Sequence, residues 1–167
     1  MQPAITKGEM SRPPERNVQS PSPRLAVRAV IVQDNCVLLV NAFAGRRGDL
    51  WCLPGGGVER GASLPYNLAR EVFEETGMGI TVGPPCLVNE FHNPDDGFHQ
   101  VEVFFRCTVI DGRLDDTWRD PEGIVVERRF FSADDLATIR FKPDSLPDVA
   151  FRRGFGYDPL ERLVLPR

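Results

Sequence analysis

The sequence predicts one α/β (α+β) domain built on a mixed β-sheet. Its 167 residues are enough to bury one sizeable core. Short apolar runs that resemble strands are mixed with helical segments, without the strict β-α-β order of a parallel sheet. Residues 1–23 are rich in proline and contain no aromatic residue, so they are predicted to form a disordered tail ahead of a single domain at residues 24–160.

The first half of the domain begins with a predicted β-hairpin. Residues 25–32 and 36–41 are apolar runs typical of strands, and the polar residues 33–35 between them indicate a turn. A polar loop at residues 44–49 leads into a short apolar run that a proline ends. Three consecutive glycines, residues 55–57, then predict a flexible backbone turn.

A helix is predicted over residues 63–76. Ser63 is placed to cap its first turn, and Pro65 is tolerated there because early helical N–H groups lack intrahelical partners. Gly77 suits the position after the last helical residue. Apolar and charged residues fall on opposite faces, so the helix is expected to bury one side.

The second half of the domain is predicted to be mainly extended, with short helices near its end. Ser132 can cap a short helix, and the proline-rich C-terminal segment carries one more. The predicted strands cover residues 80–82, 87–92, 100–109 and 125–131.

Three carboxylates, Glu71, Glu74 and Glu75, crowd the C-terminal half of the predicted helix. The helix dipole disfavours each anion there by roughly 0.3–1 kcal/mol. The i,i+4 pair Glu71 and Glu75 costs roughly a further 0.2–0.5 kcal/mol. Arg70 offsets only part of this charge, whereas a divalent cation such as Mg²⁺ or Mn²⁺ would offset more. A solvated acidic face is the alternative interpretation.

The spacing of these residues resembles the Nudix box of the Nudix hydrolases. The matching residues are Gly56, the run Arg70-Glu71-Val72, the pair Glu74-Glu75 and the pair Gly77-Met78. One box position departs from the family pattern, because Ala62 stands where a glutamate is usual. We expect this replacement to loosen Arg70 or weaken metal binding without abolishing hydrolysis, and Glu59 is a candidate to compensate.

The resemblance implies a Nudix-like α/β/α sandwich and a Mg²⁺-dependent pyrophosphohydrolase. The expected substrate is a nucleoside diphosphate derivative cleaved at its diphosphate linkage. Glu71, Glu74, Glu75 and the Gly55 carbonyl are the implied metal ligands, with Glu71 as a further ligand or the general base and Arg70 orienting it. The alternative is a Nudix domain that has lost catalysis and acts as a metabolite-binding or regulatory module.

Residues outside the box supply further candidates. Glu102 and Glu127, on predicted strands, are candidates for an additional acidic ligand. Arg46 and Arg47 are candidates for binding substrate phosphates, because a guanidinium can donate two hydrogen bonds to one phosphate.

Composition and the absence of targeting signals limit the partners and the location that we expect. The net charge of −4 argues against a nucleic-acid partner. No apolar run is long enough for a membrane helix, and without a signal peptide the expected location is cytoplasmic. The four widely spaced cysteines are expected to be structural. The oligomeric state stays open, a homodimer included.

Overall fold

The computed structural model describes residues 22–167, so almost all of the tail predicted at residues 1–23 lies outside the described residues. The described part contains nine strands and three helices. The helices are α1 (Leu64–Thr76), α2 (Ala133–Leu136) and α3 (Leu146–Phe151). The strands are β1 (Arg24–Gln33), β2 (Cys36–Asn41), β3 (Trp51–Cys52), β4 (Gly55–Gly57), β5 (Gly79–Asn93), β6 (Phe98–Asp111), β7 (Arg128–Ser132), β8 (Gly156–Tyr157) and β9 (Glu161–Arg162).

The strands form one mixed sheet in the order β3-β2-β1-β6-β5-β8. Strand β1 runs parallel to β6, whereas β5 and β6 form a long antiparallel pair. Three short strands attach beside this path: β4 on β1, β7 on β2 and β9 on β5. The predicted mixed sheet is therefore confirmed.

Helices cover both faces of the sheet. On one face, α1 buries Leu68 and Val72 against a cluster that includes Ile31 of β1. On the other, Leu136 of α2 and Leu146 of α3 join a separate cluster. Because neighbouring residues of a strand point to opposite faces, β1 contributes to both clusters. The arrangement confirms the predicted α/β/α sandwich.

Helix α1 begins and ends at the predicted residues. The Ser63 hydroxyl accepts a hydrogen bond from the Tyr66 N–H. Gly77 adopts the left-handed conformation with φ of 74°, and its N–H donates to the Phe73 carbonyl. The Trp118 Nε1–H donates to the Glu74 carbonyl at 2.9 Å, satisfying one of the last carbonyls of the helix.

The glycine run was predicted as a flexible turn, and this prediction is wrong. Residues Gly55–Gly57 form strand β4, which pairs antiparallel with residues 26–28 of β1. Gly55 has φ of 139°, and a side chain there would overlap the Val27 carbonyl oxygen. The glycine is needed for close backbone approach between two strands rather than for flexibility.

Two other strand predictions needed correction. The strands predicted at residues 80–82 and 87–92 are parts of the single strand β5, whose pairing with β6 shifts register around Pro85. Strand β7 starts at Arg128 rather than at residue 125. The backbone N–H groups of Val126 and Glu127 instead donate to the Asn41 side chain.

Candidate active site

The centre of the candidate site is the contact between Glu75 of α1 and Gly55 of β4. The Glu75 side chain is buried, and its Oε2 accepts a hydrogen bond from the Gly55 N–H at 2.8 Å. Burial raises the pKa of Glu75 to about 8, against the opposing effects of Arg28 and the Gly55 N–H. Glu71 and Asp120 contribute to this raised pKa, so negative charge is concentrated around the Glu75 carboxylate.

Glu71 lies one helical turn earlier and faces the same glycine strand. A side chain at Gly56 would overlap the Glu71 carboxylate, so the two residues are packed directly together. Burial raises the pKa of Glu71, and the neighbouring Arg70 guanidinium opposes this rise. A half-buried carboxylate with a raised pKa is a stronger base than an exposed one.

Arg70 links the helix carboxylates. It donates to Glu71 Oε1 and to Glu74 Oε2, each at 2.8 Å. The Glu59 carboxylate lies 3.5 Å from the same guanidinium. Glu59 therefore contacts Arg70, as expected of a residue that compensates for the glutamate replaced by Ala62. Glu59 is 68% exposed, and an ion pair of that kind contributes little to stability.

The helix carboxylates fit a divalent cation by their chemistry. They are hard oxygen donors, the class preferred by Mg²⁺. Glu71 raises the pKa of Glu75, and Glu74 raises that of Glu71, so a cation would relieve repulsion within the group. Within residues 22–167, however, no three His, Cys, Asp or Glu side chains converge as a metal-binding group. Arg70 and the Gly55 N–H engage the carboxylates instead.

Glu102, a candidate for an additional acid, is committed to an ion pair beneath the glycine strand. Its Oε1 lies 2.7 Å from Arg28 Nε and also accepts from the Gln100 amide at 2.8 Å. Arg28 in turn donates to the Gly55 carbonyl at 2.8 Å. This carbonyl has a second lone pair, so the contact leaves one acceptor site on the oxygen. Glu102 therefore supports Gly55 through Arg28.

Glu127, the other candidate acid, lines a cavity of about 570 Å³. We call it the arginine cavity, because four arginines line it together with three acids: Arg47, Arg119, Arg128 and Arg129 with Asp116, Asp120 and Glu127. Arg128 Nε and Glu127 Oε2 are buried without a hydrogen-bond partner among the described residues. Burial lowers the pKa of Arg128. The two terminal nitrogens of Arg128 donate to the Trp118 and Val125 carbonyls, each at 3.2 Å, which holds this guanidinium in the cavity lining.

The two predicted phosphate-binding arginines have different surroundings. Arg47 lines the arginine cavity. Arg46 lies 3.6 Å from Asp49 and donates to the Arg167 carbonyl near the C-terminus. Only Arg47 is therefore placed beside the charged lining of this cavity.

Asp120 is a buried acid that the sequence reading missed. Its carboxylate accepts from the backbone N–H groups of Glu122, Ile124 and Val125, and it raises the pKa of Glu75. The structure thus joins the lining of the arginine cavity to the helix acids. The Asp-Pro-Glu-Gly run starting at Asp120 does indicate a turn in the sequence, but it gives no sign of this proximity.

No helix among residues 22–167 is both long enough and apolar enough to cross a membrane.

Comparison with known proteins gives consistent matches. A putative ADP-ribose pyrophosphatase of Bacillus subtilis (strain 168), YjhB, is 31% identical over 96 residues, which cover 56% of this chain and 45% of that protein. This chain therefore spans less than half the length of that relative.

Two further matches cover more of both chains. An ADP-ribose pyrophosphatase of Methanocaldococcus jannaschii is 30% identical over 131 residues, covering 74% of this chain and 70% of that protein. The solved structure of a UDP-X diphosphatase superposes with a TM-score of 0.65 and 25% identity, covering 83% of this chain and 68% of that one. A family model described as a NUDIX domain matches residues 22–150. Since this match spans most of the chain, the protein belongs to the Nudix family.

Proposed function

We propose that this protein is a Mg²⁺-dependent pyrophosphohydrolase that cleaves the diphosphate linkage of a nucleoside diphosphate derivative, with Mn²⁺ as a substitute metal. The observation that carries the proposal is the packing of Glu71 and Glu75 of α1 against Gly55 and Gly56 of β4. The names of the relatives, ADP-ribose pyrophosphatase and UDP-X diphosphatase, support the substrate class.

The metal ligands in this proposal are Glu71, Glu74, Glu75 and the Gly55 carbonyl. A divalent cation bound there would act as a Lewis acid and stabilise charge on phosphoryl oxygens. The Gly55 N–H donates to Glu75 and holds its carboxylate in place, and Arg28 donates to the Gly55 carbonyl.

The proton transfer in this proposal belongs to Glu71. Its raised pKa and its hydrogen bond from Arg70 suit a carboxylate that accepts a proton from the attacking water. A role as a further metal ligand is the alternative for this residue. Arg47 and Arg128, in the lining of the arginine cavity, would donate hydrogen bonds to phosphate oxygens of the substrate. Arg46 remains a weaker candidate for the same task.

A competing function has one observation in its favour. Ala62 replaces the usual box glutamate. Such a replacement is expected in a catalytically weak or inactive metabolite-binding module. In that case diphosphate compounds would bind without turnover. The cytoplasmic location and the absence of a nucleic-acid partner remain predictions, and the oligomeric state stays open.

The deciding experiment is a hydrolysis screen of ADP-ribose, UDP-glucose and a nucleoside triphosphate with Mg²⁺, with Mn²⁺ and with chelator. We expect metal-dependent release of phosphate-containing products from at least one compound. Replacing both Glu74 and Glu75 by Gln should abolish it, whereas Asp148→Asn, an exposed acid on α3, should leave it unchanged. Tight binding of these compounds without turnover under either metal would favour the competing function.

A further inference from the structure

The loop between β6 and β7, residues 112–127, carries part of the lining of the arginine cavity. Within residues 112–119, only Leu114 and Trp118 have side chains that are not exposed. Leu114 packs against the cluster that α1 covers, near the start of the loop. Trp118 is therefore the residue that fixes the loop just before the buried Asp120.

The side chain of Trp118 lies on the last turn of α1. Its Nε1–H donates to the Glu74 carbonyl at 2.9 Å, and its ring meets the Phe73 ring edge-on, with centroids 5.4 Å apart. The ring also lies against Gly77, where an added Cβ would come within 2.8 Å of it. The indole is thus held by three contacts at the end of the helix that carries Glu74 and Glu75.

The backbone of Trp118 contacts two arginines of the arginine cavity. Its carbonyl accepts from Arg119 Nη1 at 3.0 Å and from Arg128 Nη1 at 3.2 Å. Arg119 is exposed and adjacent in the chain, whereas Arg128 lies ten residues further on, at the start of β7, and is half-buried. Trp118 therefore joins α1 through its side chain and Arg128 through its carbonyl.

This link fixes the distance between two groups that a diphosphate would contact together. The helix acids lie at one end of the link, and the Arg128 guanidinium lies at the other, in the lining of the arginine cavity. A phosphate held from both sides needs a constant spacing between them, because a displacement of about 1 Å weakens such contacts strongly. A residue that merely capped the helix would need no contact with Arg128.

We propose that Trp118 is a positioning residue that sets the distance between the helix acids and Arg128. It acts through Arg128 and does not contact the reacting atoms. The proposal rests on the proposed function, since it takes Arg128 as a donor to substrate phosphates. Tryptophan suits this task because its large ring covers Gly77 while its N–H reaches a helix carbonyl. A phenylalanine could cover Gly77 but could not donate.

The test measures binding of methylenediphosphonate, which carries two phosphonate groups and cannot be hydrolysed between them. The full chain is titrated by calorimetry at saturating Mg²⁺. Trp118→Phe keeps a ring on Gly77 but removes the N–H, and we expect the Kd to rise roughly five-fold. For a substrate found in the hydrolysis screen, KM should rise by a similar factor, whereas kcat should change less than about two-fold.

A double-mutant cycle with Arg128→Gln separates positioning from a general structural role. If Trp118 acts through Arg128, Trp118→Phe should have no further effect on the Kd once Arg128 is replaced. An equal loss of affinity in both backgrounds would overturn the proposal. Trp51→Phe is the matched control, because Trp51 belongs to the cluster under α2 and α3 and its replacement should leave the Kd unchanged.

Fluorescence keeps the test decisive if the Trp118 variants fold poorly. The chain has two tryptophans, so Trp118 is the only one left in the Trp51→Phe protein. Its emission should change when methylenediphosphonate is added, and this change should be absent after Arg128→Gln. Unchanged emission, or no binding of methylenediphosphonate to the unmodified protein, would overturn the proposal. Binding that depends on Trp118 without hydrolysis of any compound would contradict only the proposed function.

Discussion

The two cavities of this protein differ in the kind of group they are built to receive. The arginine cavity is about 570 Å³, carries arginines and acids, and meets the helix acids through Asp120. A second cavity, of about 110 Å³ and largely apolar, is lined by Arg28 among others and meets the same site where Arg28 donates to the Gly55 carbonyl. A charged, roomy cavity suits phosphates, whereas a small aromatic one suits a flat ring. The helix acids are therefore joined to a charged cavity through Asp120 and to a largely apolar cavity through Arg28.

The largest effect is expected at the site that both cavities adjoin. Glu71→Gln removes the carboxylate assigned to proton transfer, so the hydrolysis rate should fall by roughly 100-fold or more. The measurement is kcat under saturating Mg²⁺ for a substrate found in the screen. The Asp148→Asn protein serves as the control for the loss of an acidic side chain. Full activity of the Glu71→Gln protein would show that another residue is the general base, and Asp120 would be the first acid to examine.

The neighbouring arginines Arg46 and Arg47 offer a sharper comparison. Arg47→Ala should raise KM about ten-fold, because a charge-assisted hydrogen bond to phosphate contributes roughly 1.5 kcal/mol. Arg46→Ala should have a smaller effect, since Arg46 contacts Asp49 and the Arg167 carbonyl instead. Steady-state kinetics of the two variants on one substrate make the comparison. An equal or reversed order would mean that the phosphates do not enter the arginine cavity.

Glu75 predicts a pH dependence of stability in protein treated with chelator. Its folded-state pKa of about 8 lies above the ordinary value of about 4.3. The protonated form is favoured by folding, so its contribution is complete below about pH 4.3 and is lost as the pH rises to about 8. The free energy of unfolding should fall by about 1 kcal/mol or more across that range, as measured by urea denaturation.

The Glu75→Gln variant is the control for this pH dependence. It should flatten the profile, although Glu71, whose pKa is also raised, leaves a residual slope in the same direction. Saturating Mg²⁺ should reduce the slope in the unmodified protein, because cation binding favours the ionised carboxylates. A profile unchanged by Glu75→Gln would contradict the assignment of the raised pKa to this residue.

The smallest effect is expected at Ala62. Introducing Glu there should give Arg70 another partner and tighten metal binding by about 1 kcal/mol or less, because such a pair would be partly exposed. Metal titration of thermal stability measures this change, and substrate choice should be unaltered. If Ala62→Glu alone converted an inert protein into an active hydrolase, the natural protein would be the metabolite-binding module.

Local signals made the helix and its acids predictable from the sequence. Ser63 and Gly77 mark the ends of α1 by chemistry that acts within a few residues. The spacing of Glu71 and Glu75 placed both on one face for the same reason. The strand pattern likewise predicted the hairpin of β1 and β2. These features depend on residues that are close to one another in the chain, and the sequence shows those residues directly.

The glycine strand shows where this local reading failed. Three glycines resemble a turn when seen alone, and only pairing with β1 makes Gly55–Gly57 extended. The same limit applies to Asp120, whose proximity to Glu75 depends on the fold of the loop after β6. Neither contact has a periodicity or a motif that a single sequence reveals.

The sequence by itself determined the Nudix box helix, its capping residues and the acids that face β4. Only the tertiary structure decided which other side chains meet that helix. It paired Arg28 with Glu102, 74 residues apart, placed Asn89 beside that same carboxylate, and separated Arg47 from Arg46. The physical reason is that such contacts arise from strand register and packing between distant segments, whereas propensity and periodicity act only over a few residues.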